Sequence, residues 1–247
     1  MEIKMIEERY IDIHSHILPG IDDGSESMDE TIRMLHIAAK ERITTIIATP
    51  HYVAGRDNYP VEHLRYITNQ VQLEAQKIDK DFEILLGNEL YYSESITTDL
   101  RSGKALTLAG SRYVLVEFPY TVDFKALYRG VNDFIYNGYI PILAHIERYY
   151  CIYRKPEMVN ELVEMGCYTQ MNCHSVMGGL LDLEASYNRK LLNYDLIHFV
   201  GSDSHSDRSR APVMQKAIKH LHKKCDDSLI NKIVFINPRK ILENSYI

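Results

Sequence analysis

The sequence predicts an α/β fold closed into a barrel, and three observations predict it. Short apolar or β-branched runs alternate with segments of helical periodicity along the chain, the pattern of a parallel sheet with right-handed crossovers. Counting gives seven such strand–helix units in 247 residues, a natural length for one barrel domain spanning 1–247. Nearly every apolar run also ends in a histidine or a carboxylate. In a barrel the C-terminal ends of the strands converge on one mouth, whereas an open sheet spreads them along a line.

The first strand is Ile11-Asp12-Ile13-His14-Ser15-His16. Alternation puts His14 and His16 on one face, where both imidazoles can meet one ion. Pro19, Gly20 and Gly24 then open a loop that carries Asp22 and Asp23. Ser27, with Glu30 three residues on, reads as a capping box. The helix behind it carries Ile32, Leu35, His36 and Ala39 at helical spacing. The run Ile43–Ala48 is β-branched, reads as a buried parallel strand, and leads through Thr49-Pro50 to His51.

Pro60 suits the first turn of a helix over 60–80, with Leu64, Ile67, Val71 and Leu73 as its inner stripe. The strand over 82–86 exits through Gly87-Asn88 to Glu89, and residues 91–110 read as connecting material with one short helical turn. The next strand ends at Glu117. A helix over 123–137 stops at Gly138, a good C-terminal cap residue. Strand 140–144 delivers His145, then Glu147 and Arg148. A helix runs from Pro156 to Gly166, a weaker strand over 168–172, and a helical segment over 181–193. Strand 197–200 ends in Gly201-Ser202-Asp203-Ser204-His205, followed by Arg210, a basic helix over 211–224, the segment 232–236 and a final short helix.

Composition narrows the function. The chain is 45% hydrophobic and 25% charged, ordinary for a globular protein. A net charge of −6 argues against a nucleic-acid partner held by a basic surface. No apolar stretch is long enough to cross a membrane and no signal-peptide pattern is present, so a cytoplasmic protein without membrane insertion is expected. Cys151, Cys167, Cys173 and Cys225 form no C-x-x-C pair and read as reduced thiols. None has an arginine six positions later, so a phosphocysteine mechanism has no support.

The potential ligands are His14, His16, Asp23, His51, Glu89, Glu117, His145, Asp203 and His205. Imidazole with carboxylate suits Mn, Fe, Zn or Co. Five histidines and four carboxylates are too many for one tetrahedral ion and suffice for two or three with bridging carboxylates. Such bridged ions activate water and clamp phosphoryl oxygens. Arg148 and Arg210 follow two of these positions closely, and a guanidinium fork binds phosphate oxygens at two points.

The runs Asp12-Ile13-His14-Ser15-His16-Ile17-Leu18-Pro19-Gly20-Ile21-Asp22-Asp23-Gly24, Ile46-Ile47-Ala48-Thr49-Pro50-His51 and Ser202-Asp203-Ser204-His205 resemble the polymerase-and-histidinol-phosphatase (PHP) superfamily. Within it, the match is to bacterial metal-dependent protein-tyrosine phosphatases of capsule and exopolysaccharide loci. The resemblance begins near Tyr10 and extends to the end of the barrel.

It implies a distorted seven-stranded TIM-like barrel with a trinuclear site, usually manganese-dependent. One ion would be held by His14, His16, Glu89 and Asp203. A second, bridged by Glu89, would take Glu117 and His145; a third would take Asp23 (rather than Asp22), His51 and His205. Arg148 and Arg210 fall where the family binds phosphate. The implied substrate is a tyrosine-phosphorylated protein, the tyrosine-rich tail of a bacterial tyrosine kinase that controls polysaccharide assembly.

Two stretches depart from the family pattern: Ile146 stands where relatives read proline, and Asn172-Cys173-His174 replaces small polar residues at the pocket rim. Rival readings are a PHP-type phosphatase of a small phosphomonoester such as histidinol phosphate, and a metal-binding regulatory module without turnover.

Overall fold

The computed structural model describes residues 9–177 and 182–247. All strand pairings among them are parallel, and they form two sheets rather than one continuous sheet. The first sheet orders β1 (Tyr10–Ser15), β2 (Ile43–Ala48) and β4 (Glu83–Leu86) as β1-β2-β4. The second comprises β3 (His51–Val53), β5 (Glu89–Tyr91), β6 (Tyr113–Glu117), β7 (Ile140–Leu143), β8 (Tyr168–Asn172) and β9 (Phe199–Gly201), in that order.

Two breaks separate the sheets, and both precede site residues. Thr49-Pro50 lies between β2 and β3, and Gly87-Asn88 between β4 and β5. Asn88 spans the two breaks: its Nδ2 donates to Pro50 O at 2.9 Å and its Oδ1 accepts from the Leu106 amide at 2.9 Å. On the free edge of β1, Asp203 N donates to His14 O and His16 N donates to Ser204 O, each at 2.8 Å. Ser15 and Ser204 form a parallel bridge there.

The alternation of strand residues sorts the core. Ile11, Ile13, Ile47, Tyr113, Leu115, Ile142 and Phe199 gather in one cluster. Strand residues of opposite parity, among them Ile46, Val114, Val116 and Leu143, pack instead with the helices. Those helices are α1 (Met28–Lys40), α2 (Val61–Ile78), α3 (Ile96–Arg101), α4 (Phe124–Tyr136), α5 (Pro156–Glu164), α6 (Leu183–Asn193), α7 (Gln215–Leu221), α8 (Asp227–Asn231) and α9 (Asn237–Leu242). The expected start of α6 at Leu181 lies outside the described residues. No helix among the described residues is long and apolar enough to cross a membrane.

Several local expectations change. Ser27 Oγ does accept from Glu30 N, but the Glu30 carboxylate reaches the amide of Glu26, not of Ser27. The buried side of α1 is Thr31, Met34, Leu35 and Ala38, leaving His36 exposed. In α2 the buried positions are Leu64, Thr68, Val71 and Ala75, while Leu73 is 55% exposed. Leu73 lies two residues past Val71, about 200° around the helix, and so faces away. The stretch 91–110 contains α3 and a 3₁₀ turn over Leu108–Gly110. The basic segment shortens to α7, and Lys232–Ile236 is a π-helical turn. The four cysteines are free.

Candidate metal centre

Strand ends and the loops behind them bring the predicted ligands together around Glu89. Burial of β5 leaves Glu89 1% exposed. Its Oε2 lies 3.2 Å from His14 Nε2, 3.2 Å from His16 Nε2 and 3.1 Å from His51 Nδ1. Its Oε1 lies 2.9 Å from His145 Nε2. Burial alone would push this carboxyl up. Charge and hydrogen bonds from His14, His145 and His16 outweigh that and hold it well below the usual carboxylate range.

The other predicted ligands surround this centre. Glu117 Oε1 is 3.5 Å from His145 Nε2, and burial with the neighbouring Glu89 charge raises its pKa. Asp23 Oδ1 is 3.3 Å from His51 Nε2 and 3.5 Å from His205 Nε2. Asp203 Oδ1 is 3.4 Å from His14 Nε2 and 3.5 Å from His205 Nδ1. Burial and the charge of His16 lower His205 to about 4.

Three groups of ligand atoms are tight enough to surround a cation: His16, Asp23, His51 and His205; His14, His16 and Glu89; and His51, Glu89 and Glu117. This grouping differs from the partition implied by family resemblance. His16 sits with Asp23, His51 and His205 as well as with His14, and His51 joins Glu89 and Glu117. Asp203 and His145 border these groups through the contacts given above.

The backbone is bent to present two of these side chains. His145 (φ 33°) and Asp203 (φ 50°) are both left-handed, a conformation that costs a non-glycine residue of order 1–3 kcal/mol and concentrates at functional sites. Gly24 is required by close approach, since a Cβ there would meet His16 O at 2.2 Å.

The predicted arginines converge on Asp203. Arg148 Nη2 donates to Asp203 Oδ2 at 3.1 Å, and Arg210 Nη2 lies 2.8 Å from the same oxygen. Both guanidinium side chains remain over a third exposed. The site therefore has two polarities side by side: a buried ring of imidazoles and carboxylates, and a partly open cationic rim.

Several residues that orient the site escaped the sequence reading. Asp22 Oδ2 accepts from His16 Nδ1 at 2.7 Å and from the His51 amide at 3.0 Å. Burial is outweighed by His16, so Asp22 falls to about 2, while Asp22 and Glu89 raise His16 to about 10 against its own burial. Gln170 Oε1 is 3.2 Å from His14 Nδ1 and accepts from the His145 amide at 2.9 Å. Asn172 Nδ2 donates to Asp203 Oδ2 at 2.7 Å. Asp12 accepts from the Ser202 amide at 2.9 Å, fastening β1 to the Asp203 loop. Asp22 adjoins Asp23 and Asn172 belongs to the departing stretch at the rim, but the orienting roles of these residues depend on contacts between distant segments.

At the rim, a cavity of about 520 Å³ is lined by residues including Tyr120, Arg148, Tyr150, Tyr153, His174 and Ser175. His174 reaches this rim, but Cys173 does not: it is fully buried, and burial pushes its thiol well above the ordinary range. Ile146 is buried and opens a 3₁₀ turn that carries Arg148.

Comparison with known proteins identifies the family. The family model described as "Capsular polysaccharide synthesis, CpsB/CapC" matches residues 10–243. Tyrosine-protein phosphatase CpsB of Streptococcus pneumoniae is 34% identical over 242 residues, covering 96% of this chain and 100% of the relative. Tyrosine-protein phosphatase YwqE of Bacillus subtilis (strain 168) is 33% identical over 219 residues, covering 89% and 86%. A solved structure from work on YwqE and CpsB, described as unique metal-dependent tyrosine phosphatases, superposes with a TM-score of 0.88 at 32% identity and covers 96% of each chain. The family model across residues 10–243 and a relative 34% identical along its full length lead to one conclusion: the chain belongs to the CpsB/CapC capsular polysaccharide synthesis family.

Proposed function

We propose that this chain hydrolyses phosphotyrosine in proteins in a metal-dependent reaction, acting on a bacterial tyrosine kinase that regulates capsular or exopolysaccharide biosynthesis. The observation that carries the reading is Glu89, whose two oxygens lie within 3.2 Å of four imidazoles beside two arginines gathered on Asp203. The relatives are named tyrosine-protein phosphatases, which supports the same substrate class here.

The donor set fits metal ions. His14 Nε2 and His16 Nε2 point at each other across 3.3 Å, an arrangement suited to a shared cationic neighbour. His205 Nε2 is buried without a hydrogen-bond partner among the described residues. His14, His16, Asp23, His51, Glu89, Glu117, His145, Asp203 and His205 would hold two or three ions, manganese (Mn²⁺) first, with Fe, Zn and Co compatible with the same ligands. When bound, the ions supply Lewis acidity to phosphoryl oxygens and to water.

The chain's own residues do the rest. Asp203 gathers Arg148 and Arg210 on one carboxylate oxygen, while its other oxygen lies 3.4 Å from His14 Nε2. Their remaining N–H groups fork onto equatorial phosphate oxygens and offset the charge that builds there in the transition state. Asp22 and Gln170 fix the rings of His16 and His14, so little reorganisation accompanies the chemistry.

The same reading treats residues 1–247 as one PHP-type domain and its strands as a distorted seven-stranded TIM-like barrel. Counting β2 with β3, and β4 with β5, as single broken strands gives seven. The Ser15–Ser204 bridge and the inner cluster of alternate strand residues favour closure. We read the protein as cytoplasmic, without nucleic-acid partner or membrane insertion.

The test compares kcat/KM on a phosphotyrosyl peptide with that on histidinol phosphate, with Mn²⁺ supplied. Preference for the peptide is expected; preference for histidinol phosphate would reassign the substrate, and turnover of neither would leave a metal-binding module.

A further inference from the structure

Tyr120 stands where the buried cluster meets the open rim. Its hydroxyl accepts from Arg148 Nη1 at 3.1 Å and is also hydrogen-bonded with Glu117. The polar end of the side chain is thus held from both sides. Its ring stands edge-on to His145, with centroids 5.9 Å apart and planes at 80°. Behind it lies Tyr149, 6.4 Å away, whose own hydroxyl is fastened by the Phe118 amide at 3.1 Å. The Tyr150 amide donates to Tyr120 O at 3.1 Å and ties down the backbone.

What remains free is part of the ring. Tyr120 is 38% exposed and opens onto the cavity of about 520 Å³ that Arg148, Tyr150 and Tyr153 also line. The Arg148 guanidinium carbon lies 5.9 Å from the centre of this ring, so the ester group of a phosphate held by Arg148 would come within reach of it. An aryl ester can pack there in an offset or edge-to-face arrangement, whereas a short alkyl ester gains no such contact.

We propose that Tyr120 is a specificity-determining residue that favours aryl over alkyl phosphate monoesters by packing its ring against the phenyl ring of phosphotyrosine. The inference rests on the phosphotyrosine-hydrolase reading above, and adds to it a residue that recognises the organic half of the substrate. A purely structural Tyr120, serving only to hold Arg148 and Glu117, would affect every phosphate ligand alike.

The experiment measures competitive inhibition by phenylphosphonate and methylphosphonate during phosphotyrosyl-peptide turnover in the Mn²⁺-loaded chain. Wild type should bind the phenyl compound about five- to tenfold more tightly. Tyr120→Phe should keep that ratio, because the ring remains, and Tyr120→Leu should bring it towards one. Tyr120→Met replaces the leucine variant if the latter does not fold. A wild-type ratio near one, a leucine or methionine variant with the wild-type ratio, or a phenylalanine variant that loses it would overturn the proposal while leaving the hydrolase reading intact. Absence of peptide turnover by wild type with Mn, Fe, Zn or Co would overturn both.

Discussion

Asp203 is bonded to Arg210 across 2.8 Å through one carboxylate oxygen, while its other oxygen faces His14 Nε2 at 3.4 Å. One side chain therefore joins the imidazole ring to the cationic rim. Burial disfavours its charge, but His14 and Arg210 hold the carboxyl well below the usual range, so it stays ionised and keeps its partners.

If Arg210 binds phosphate, Arg210→Gln should lower kcat/KM on a phosphotyrosyl peptide by about 10²–10³-fold. Metal content per chain should be retained. Steady-state kinetics with metal analysis checks this, and loss of metal together with activity would mean that Arg210 acts mainly through Asp203.

Asp22 touches the centre only through His16 Nδ1 and the His51 amide. Asp22→Asn should weaken metal affinity by about 10–100-fold, the usual effect of removing the partner that orients a ligating histidine. Titration of the metal-stripped chain measures it; wild-type affinity would show that His16 does not need this support.

Metal removal should also cost stability, because ions that bind only the folded chain stabilise it. At a free concentration a hundredfold above Kd the gain is about 2.7 kcal/mol, or about 5–10 °C in Tm for a chain of this size. Thermal unfolding with Mn²⁺ and with chelator should differ by that amount, and coincident curves would contradict the fit of these residues to metal.

His198, buried at the start of the strand run that leads to Asp203, predicts an acid-labile fold. Burial lowers it to about 4, and its Nδ1 accepts from the Thr169 amide at 3.2 Å, which requires an unprotonated nitrogen. The unfolded chain therefore takes up the proton first. The stabilisation is complete above about pH 6.5 and is lost as pH falls towards 4, by roughly 2 kcal/mol at pH 5. Urea unfolding of wild type and His198→Gln should show a shallower pH dependence in the variant over that window; parallel profiles would exclude this origin.

Much of the candidate site was legible because several candidate ligands end or closely follow an apolar run, although Asp23 lies in a loop. His14, Glu89, Glu117 and His145 are all announced by the strands that deliver them. Asp22 and Gln170 were not, and Asn172 stands out in sequence only as a departure at the rim, since their roles appear only when β1, β7, β8 and the Asp203 loop lie together. Gln170 meets His14 across 156 residues of sequence. On α2, Leu73 is apolar yet faces outward, because helical phase and not apolarity alone decides which residues are buried. Nor could a hydrophobic pattern reveal the sheet breaks at Pro50 and Gly87-Asn88, where a missing amide and the Asn88 side chain redirect the pairing.

The most direct test of the central claim is hydrolysis of a phosphotyrosyl peptide with and without Mn²⁺, in wild type and in His14→Ala. His14 contacts both Glu89 and Asp203 from full burial, so its loss should remove metal-dependent turnover. Turnover that persists in the variant and ignores chelator would contradict the metal mechanism, and the ring around Glu89 would need another explanation.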